Sequence, residues 1–404
     1  MAKAYRYISG DSHLEIDSKW WVDRVPARHR DRAPRLVRLP DGGDAWLVEG
    51  RPLREVATDL YGGKGRDNWW PYGQNYETTP GTGTPQQRLQ EQDQDGIDAE
   101  VFFPGASSPG IWRSIKDDDA YKAVVRAYND WLGEDYCSVD RDRLIGLGFL
   151  PWTGVDDAIA EMEHCARIGF KGVNLGVFPS GKGYPTPEDD KFWTAAIDMN
   201  MPIAVHHQFD RSEDRAGPLV KFDAPKEIQA RMPATRGFAE HVTLFGREGA
   251  VNALQLALTG VFDRLPRLHL FFGETQIGWI PFFLEMSEAR YERHRYWAER
   301  LLNWKPMERQ PTDYIREHCY WGFQHDRVGV ELRDKIGVDR LIWAVDFPHQ
   351  DSEWPNSMRL VDWNFGGVPD DEKHRMVAGN VIDFFHLDAI PSAPEAQPAA
   401  AQAR

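Results

Sequence analysis

The chain reads as an α/β barrel of eight strand–helix units, and three observations predict it. Apolar runs of strand length alternate with helical periodicity along nearly the whole sequence, the pattern of a parallel sheet built from βα units. Several of those runs end in groups that carry chemistry, at the strand ends where parallel α/β folds place their sites. At 404 residues, 41% of them hydrophobic and with 16 Trp, the chain is long enough for one barrel with insertions.

The units follow in order. Residues 5–10 form the first strand. The stretch 18–85, rich in Gly, Pro, Trp and Arg, is too long for a plain loop and reads as an insertion with its own short elements. A helix over 86–95 leads to a second strand, 99–103, stopped by Pro104-Gly105. A helix over 118–136 precedes a third strand, 144–150, stopped by Pro151. An amphipathic helix over 156–168 is capped by Gly169 and followed by a strand over 172–176. The helix 188–199 and strand 203–207 come next, then the helix 244–265 and strand 268–272. A helix over 279–297, dense in aromatics and arginines, precedes a seventh strand over 315–321. The helix 328–336, the strand opening at Leu341 and a closing helix over 370–385 complete the set. Residues 1–390 are therefore expected to form one unit, with 391–404, low in complexity, as a disordered tail.

Composition excludes some classes. A net charge of -15 argues against a nucleic-acid backbone as partner. Cys137, Cys165 and Cys319 lie far apart with no CxxC pairing, which points to a reducing compartment rather than a disulfide framework or zinc ribbon. No stretch has the length of a membrane span, so a cytoplasmic protein is expected. Neither a GxSxG elbow, a phosphate loop nor a dinucleotide fingerprint stands in a strand-to-helix context.

The candidate site comes from four strand ends. Asp11 and His13 have the two-residue spacing that sends both side chains to one face of a strand, where they can grip one ion. His206 and His207 close an apolar strand; being adjacent, they should point to opposite faces, so that only one reaches the interior. A polar turn at Asp11 and a core histidine at His206 are the bland alternatives. Glu274 ends the run Leu268-His269-Leu270-Phe271-Phe272-Gly273, where a buried carboxylate needs a metal or an ion pair, the bland alternative being a salt bridge to one of the arginines of 290–295. Asp346 and His349 follow Leu341-Ile342-Trp343, with Pro348 ending the strand. Two carboxylates and two or three imidazoles at strand ends are best explained by a divalent cation. Lys171, at the start of a strand, reads more readily as a solvent-facing lysine than as a metal bridge.

These residues carry a resemblance. Asp11-Ser12-His13, Asp98 with Val101-Phe102-Phe103-Pro104, Gly169-Phe170-Lys171-Gly172-Val173, His206, Gly278-Trp279-Ile280-Pro281, Asp346-Phe347-Pro348-His349 with Trp354-Pro355, and Gly379-Asn380 resemble the amidohydrolase-related branch of the amidohydrolase superfamily. That branch includes aminocarboxymuconate-semialdehyde decarboxylase and related aromatic acid decarboxylases. The resemblance implies a distorted (β/α)8 TIM barrel with a catalytic divalent metal, zinc, manganese or iron. Carried over by position, its ligands are Asp11, His13, His206 and Asp346. The insertion over 18–85 corresponds to a cap, from which Arg51, Arg54 or Arg66 would bind substrate.

Two departures stand out: Asp11 replaces a histidine of the first strand, and Glu274 stands where a sixth-strand histidine is usual. Both favour oxygen ligands, so Glu274 joins the ligand candidates and one ion is expected, or two if Glu274 or Asp11 bridges. The implied function is hydrolysis or decarboxylation of a small carboxylated or cyclic substrate, with Asp346 as base and Glu274 and His349 relaying protons or orienting the ligand. Two alternatives are a dinuclear iron or manganese oxygenase and a non-catalytic partner subunit with an eroded site. The expected partner is a small-molecule substrate, with neither nucleic acid nor membrane, in a homo-oligomer or a hetero-oligomer.

Overall fold

The computed structural model describes residues 3–56, 60, 63–65, 72–209, 247–302, 304–387 and 389–391. Strand β1 (Lys3–Tyr5) is followed by β2 (Ile8–Leu14), which is buried along its whole length. β2 runs beyond the expected 5–10, so Asp11 and His13 lie inside the strand and not after it. In the excursion that follows, β3 (Arg35–Arg38), β4 (Asp44–Val48) and β5 (Arg51–Glu55) pair antiparallel. Trp46 and Tyr76 of this region are buried against the main core.

The helix Pro85–Asp95 begins where the Thr84 side chain accepts from the Gln87 N–H, 3.2 Å away, and stops at Gly96, whose φ of +79° a side chain would resist. It delivers the chain to β6 (Ala99–Pro104), which pairs parallel with β2 and with β7 (Leu144–Gly146). β8 (Gly148–Phe149), β9 (Val173–Asn174), β10 (Ile203–His206), β11 (Leu270–Gly273), β12 (Cys319–Phe323) and β13 (Leu341–Trp343) then pair parallel in chain order.

The expected single ring is found as two parallel sheets. The third strand changes partner at Leu147, whose N–H donates to Phe102 O (3.1 Å) while that of Gly148 donates to Gly172 O (3.1 Å). At the other seam β2 and the turn after β13 are joined by two backbone hydrogen bonds, Asp346 N–H to Asp11 O (2.9 Å) and His13 N–H to Phe347 O (2.8 Å).

Other boundaries moved for local reasons. Residues 315–318, expected as strand, belong to the helix Pro311–His318; Gln310 caps it and its own N–H donates to Asp313 Oδ2, 3.2 Å away. The seventh strand starts only at Cys319. The helix expected over 244–265 is broken at Gly260, at φ +71°, into Arg247–Leu258 and Val261–Arg264. Of the expected tail, Pro391 pairs with Tyr5 through β14 (Ala389–Pro391), and 392–404 lie outside the described residues. No helix among the described residues is long and apolar enough to cross a membrane.

One ion pair braces the seam from behind. The fully buried Arg88 donates to Glu100 through Nε (2.7 Å) and Nη2 (3.0 Å), and Nη2 also reaches Phe347 O (3.0 Å). Gln92 Nε2 adds a hydrogen bond to Glu100 of 2.8 Å. Removing one partner strands a buried charge, whereas replacing both with apolar groups does not. Arg88→Met is therefore expected to lower the unfolding free energy in urea by about 3–5 kcal/mol, and Arg88→Met with Glu100→Met to recover more than half of that loss.

Candidate metal centre

His13 shows how the site is assembled. Its Nδ1 lies 2.8 Å from Pro104 O. A carbonyl only accepts, so Nδ1 donates to it and Nε2 is the nitrogen that faces inward. That Nε2 is 3.4 Å from Asp11 Oδ1 and 3.3 Å from Asp346 Oδ1. His206 approaches from β10, with Nε2 3.8 Å from Asp11 Oδ2 and 3.1 Å from Glu274 Oε2. Asp11 has room only because the next strand carries glycine opposite it: a Cβ on Gly273 would sit 2.7 Å from Asp11 Oδ2.

These approaches leave the central atoms unsatisfied. Both oxygens of Asp11, Nε2 of His13 and Nε2 of His206 are buried without a hydrogen-bond partner among the described residues. One ligand atom from each of Asp11, His13, His206 and Glu274 lies within 4.8 Å of the others, and the same holds for His13, Asp346 and His349. Native interiors rarely leave polar atoms unpaired, and here the unpaired ones share one focus. A carboxylate oxygen with two imidazole nitrogens and further carboxylates beside them fits a divalent cation.

The electrostatics agree. Burial, and then the charges of Asp346 and Glu274, push Asp11 well above the usual carboxylate range. Burial and the neighbouring His207 push His206 down to about 3, so its ring is neutral and able to ligate. For Glu274 burial acts upward, but His207 and His206 outweigh it and carry the carboxyl well below its ordinary value. For His349 burial opposes the charged ring, yet Asp346 and Glu15 hold it well above the usual imidazole range.

The strand ends aim these groups in an unexpected way. His207 was expected to face away from His206, but its Nε2 reaches Glu274 Oε2 at 2.9 Å. The reason is its φ of +55°: the strand ends at His206, and the left-handed residue breaks the two-residue alternation. Glu274 and Asp346 sit at φ +52° and +53° in the same region. No arginine pairs with Glu274 among the described residues; the histidines do.

His349 lies between two carboxylates, Nδ1 3.0 Å from Asp346 Oδ1 and Nε2 3.0 Å from Glu15 Oε1. Both ring nitrogens are thus engaged. Glu15 was missed in the sequence, although it continues the two-residue phase of Asp11 and His13. It is almost fully buried and also accepts from Ala106 N–H (2.7 Å) and the Tyr76 hydroxyl (3.0 Å). Lys171 is exposed and belongs to neither ligand group. Arg51 is exposed too, bonded to Glu49 (3.2 Å) and Ser114 O (2.9 Å). Arg66 lies outside the described residues, as does the side chain of Arg54.

Comparison with known proteins identifies the family. An amidohydrolase family model matches residues 27–387. Gamma-resorcylate decarboxylase of Rhizobium radiobacter is 25% identical over 289 residues, covering 68% of this chain and 81% of that protein. The 2-amino-3-carboxymuconate-6-semialdehyde decarboxylase of Dictyostelium discoideum is 24% identical over 306 residues, covering 75% and 77%. Among solved structures, 5-carboxyvanillate decarboxylase from Novosphingobium aromaticivorans, complexed with manganese and 4-hydroxy-3-methoxy-5-nitrobenzoic acid, superposes with a TM-score of 0.63 at 17% identity, covering 96% of this chain and 99% of that one. That likeness shows a TIM-barrel-like α/β fold. The chain belongs to the amidohydrolase family and is a metal-dependent enzyme of it. The oxygenase and non-catalytic readings find no support among these proteins.

The crowded carboxylates predict a reversal of sign. In chelator-treated protein the raised Asp11 carboxyl costs stability as pH climbs above the ordinary carboxylate range, because the unfolded chain ionises first. Asp11→Asn is expected to raise the melting temperature of metal-free protein at pH 7 and to abolish the rise that manganese gives the native sequence, both read by differential scanning calorimetry.

Proposed function

We propose that this chain is a decarboxylase that removes the carboxyl group of a small carboxylated ring, with one divalent ion, manganese, held by Asp11, His13, His206 and Asp346 and flanked by Glu274. The observation that carries the reading is the convergence of the Asp11 oxygens with the inward nitrogens of His13 and His206, all buried and unpaired. The relatives' printed activities, on gamma-resorcylate and on a carboxymuconate semialdehyde, support the reaction class, and the manganese of the 5-carboxyvanillate enzyme supports the metal. In this reading residues 1–390 are one barrel unit, closed at the seam between the last and first strands, and 18–85 cover its mouth.

When bound, the ion supplies positive charge that draws the substrate's oxygen atoms into place and offsets charge developing on them. The protein's own groups do the rest. Loss of carbon dioxide from a ring requires a proton at the carbon that carried the carboxylate; the proton takes the bond's place, and the electron pair left behind stays with the ring. Asp346 is the group placed to pass that proton on, since its carboxylate accepts from His349 at 3.0 Å, lies 3.3 Å from His13 and stands in the turn after β13. Glu274, 3.1 Å from His206 Nε2 and 2.9 Å from His207 Nε2, keeps a negative charge beside the site and orients those two rings. Phe103, whose ring centroid is 5.4 Å from that of His206, sets an apolar ring beside the site.

The test is manganese-loaded protein offered gamma-resorcylate and 5-carboxyvanillate, with released carbon dioxide measured. Turnover of either is expected, and Asp346→Asn should cut kcat by about 10²-fold or more while the protein stays folded. No carbon dioxide from any carboxylated ring, with full metal content, would overturn the reading.

A further inference from the structure

The buried Glu15 has no part in the ligand set, yet the fold builds a slot for it. Its Oε1 accepts from the Ala106 N–H (2.7 Å) and lies 3.0 Å from His349 Nε2; its Oε2 accepts from the Tyr76 hydroxyl (3.0 Å). The turn after β6 is shaped around it: a Cβ on Gly105 would stand 2.5 Å from Glu15 Oε2 and 2.7 Å from its Cδ. Only glycine leaves that space. A carboxylate this well buried is costly unless its hydrogen bonds have a purpose in one geometry, and all three are made here.

What Glu15 fixes is the rotation of one ring. His349 stacks on His13 with centroids 3.9 Å apart, which sets the plane of its imidazole but not which edge faces Asp346. The stack alone would allow the ring to flip about its Cβ–Cγ bond, which keeps the plane but carries Nδ1 away from Asp346; the Glu15 bond to Nε2 leaves Nδ1 facing Asp346 Oδ1 at 3.0 Å. A carboxylate can only accept, so His349 donates to both, and the ring spans Glu15 and Asp346 as a rigid strut. The geometry points to Glu15 as a positioning residue, one that holds His349 and through it aims the Asp346 carboxyl at the reacting carbon. Tyr76 extends the strut into the region after β5, so the segment outside the barrel reaches the reacting group through one hydroxyl.

The inference rests on the decarboxylase reading for its kinetic arm but not for its structural one. Three variants separate the possibilities: Glu15→Ala, which removes the strut's foot; Gly105→Ala, which leaves Glu15 in the chain but displaces its carboxylate; and Glu15→Gln, whose amide oxygen still accepts from Ala106 and His349. Crystal structures of the manganese-loaded variants, metal content per chain, and separate kcat and KM values are measured. The expected result is a His349 ring turned away from Asp346 in the two alanine variants, manganese content unchanged, KM within about threefold and kcat down by about 10²-fold, the size of a misplaced proton-transfer group. Glu15→Gln should restore the ring and at least tenfold of the lost kcat. Glu15→Ala or Gly105→Ala with His349 still on Asp346, a loss of kcat that follows a loss of metal, or no rescue by glutamine would each overturn the assignment. If the native protein turns over no carboxylated ring, the decarboxylase reading alone fails, and the position of the ring in the variants still decides the role of Glu15.

Discussion

Two backbone hydrogen bonds, from Asp346 to Asp11 and from His13 to Phe347, decide where everything else in the site must lie. They tie the turn after the last strand to the middle of the first one, at 2.9 and 2.8 Å, and so bring the two ends of the sheet order together. Because Asp11 and His13 share a face of β2, and Asp346 is pinned across from them, the three side chains have no choice but to converge. Phe347 O uses its second lone pair on Arg88, so the seam is anchored both to the neighbouring strand and to the helix Pro85–Asp95. Ser9 adds a third tie, its hydroxyl accepting the Val345 N–H at 2.9 Å.

That convergence creates an electrostatic problem that the surroundings solve unevenly. Arg88 and Glu100 neutralise each other within hydrogen-bond distance, so the braced region behind the seam adds little net field to the site. His349 is offset on both sides by Glu15 and Asp346, and Glu274 faces His207 at 2.9 Å. Asp11 alone has no such partner: its oxygens are unpaired and its ionisation is opposed by burial and by Asp346 and Glu274. The charge left over is therefore concentrated at one carboxylate with two inward imidazole nitrogens beside it, which is the arrangement a divalent cation completes.

Much of this was legible in the sequence because strand ends advertise themselves. His206, Glu274 and Asp346 each close or follow an apolar run, where carboxylates are too costly to be casual, and Asp11 and His13 show themselves by their two-residue spacing within β2. Other residues that carry the family resemblance are structural in this fold: Asp98 accepts the N–H groups of Arg6 and Tyr7, and Asn380 donates to Val338 O and Leu341 O at the foot of the last strand. Pattern alone does not separate such braces from ligands. Glu15 went unread because it stands just past the end of β2, where a charged residue is ordinary, and Arg88 because its helix looks polar on every face. The seventh strand, expected over 315–321, begins only at Cys319 because Tyr314 and Ile315 are buried on a helix, and a short apolar run with aromatic neighbours does not distinguish the two periods.

The least legible feature is the one that aims the side chains. His207, Glu274 and Asp346 each adopt left-handed backbone at the end of a strand, a conformation that costs a non-glycine residue about 1–3 kcal/mol. Nothing in the residue types announces it. What holds it is hydrogen bonding on either side: His207 N–H to Gly273 O at 3.0 Å, Thr275 N–H to Gly322 O at 3.0 Å and Asp346 N–H to Asp11 O at 2.9 Å. Each strand is tied to its neighbour just where the chain turns left-handed. Gly273 and Gly322 are what let those neighbours come so near, since a Cβ on Gly322 would lie 2.9 Å from Glu274 N. The glycines thus do for the backbone what the apolar runs do for burial: they allow three strained residues to point three functional groups at one place, and the strain is repaid by the sheet and not by the site itself.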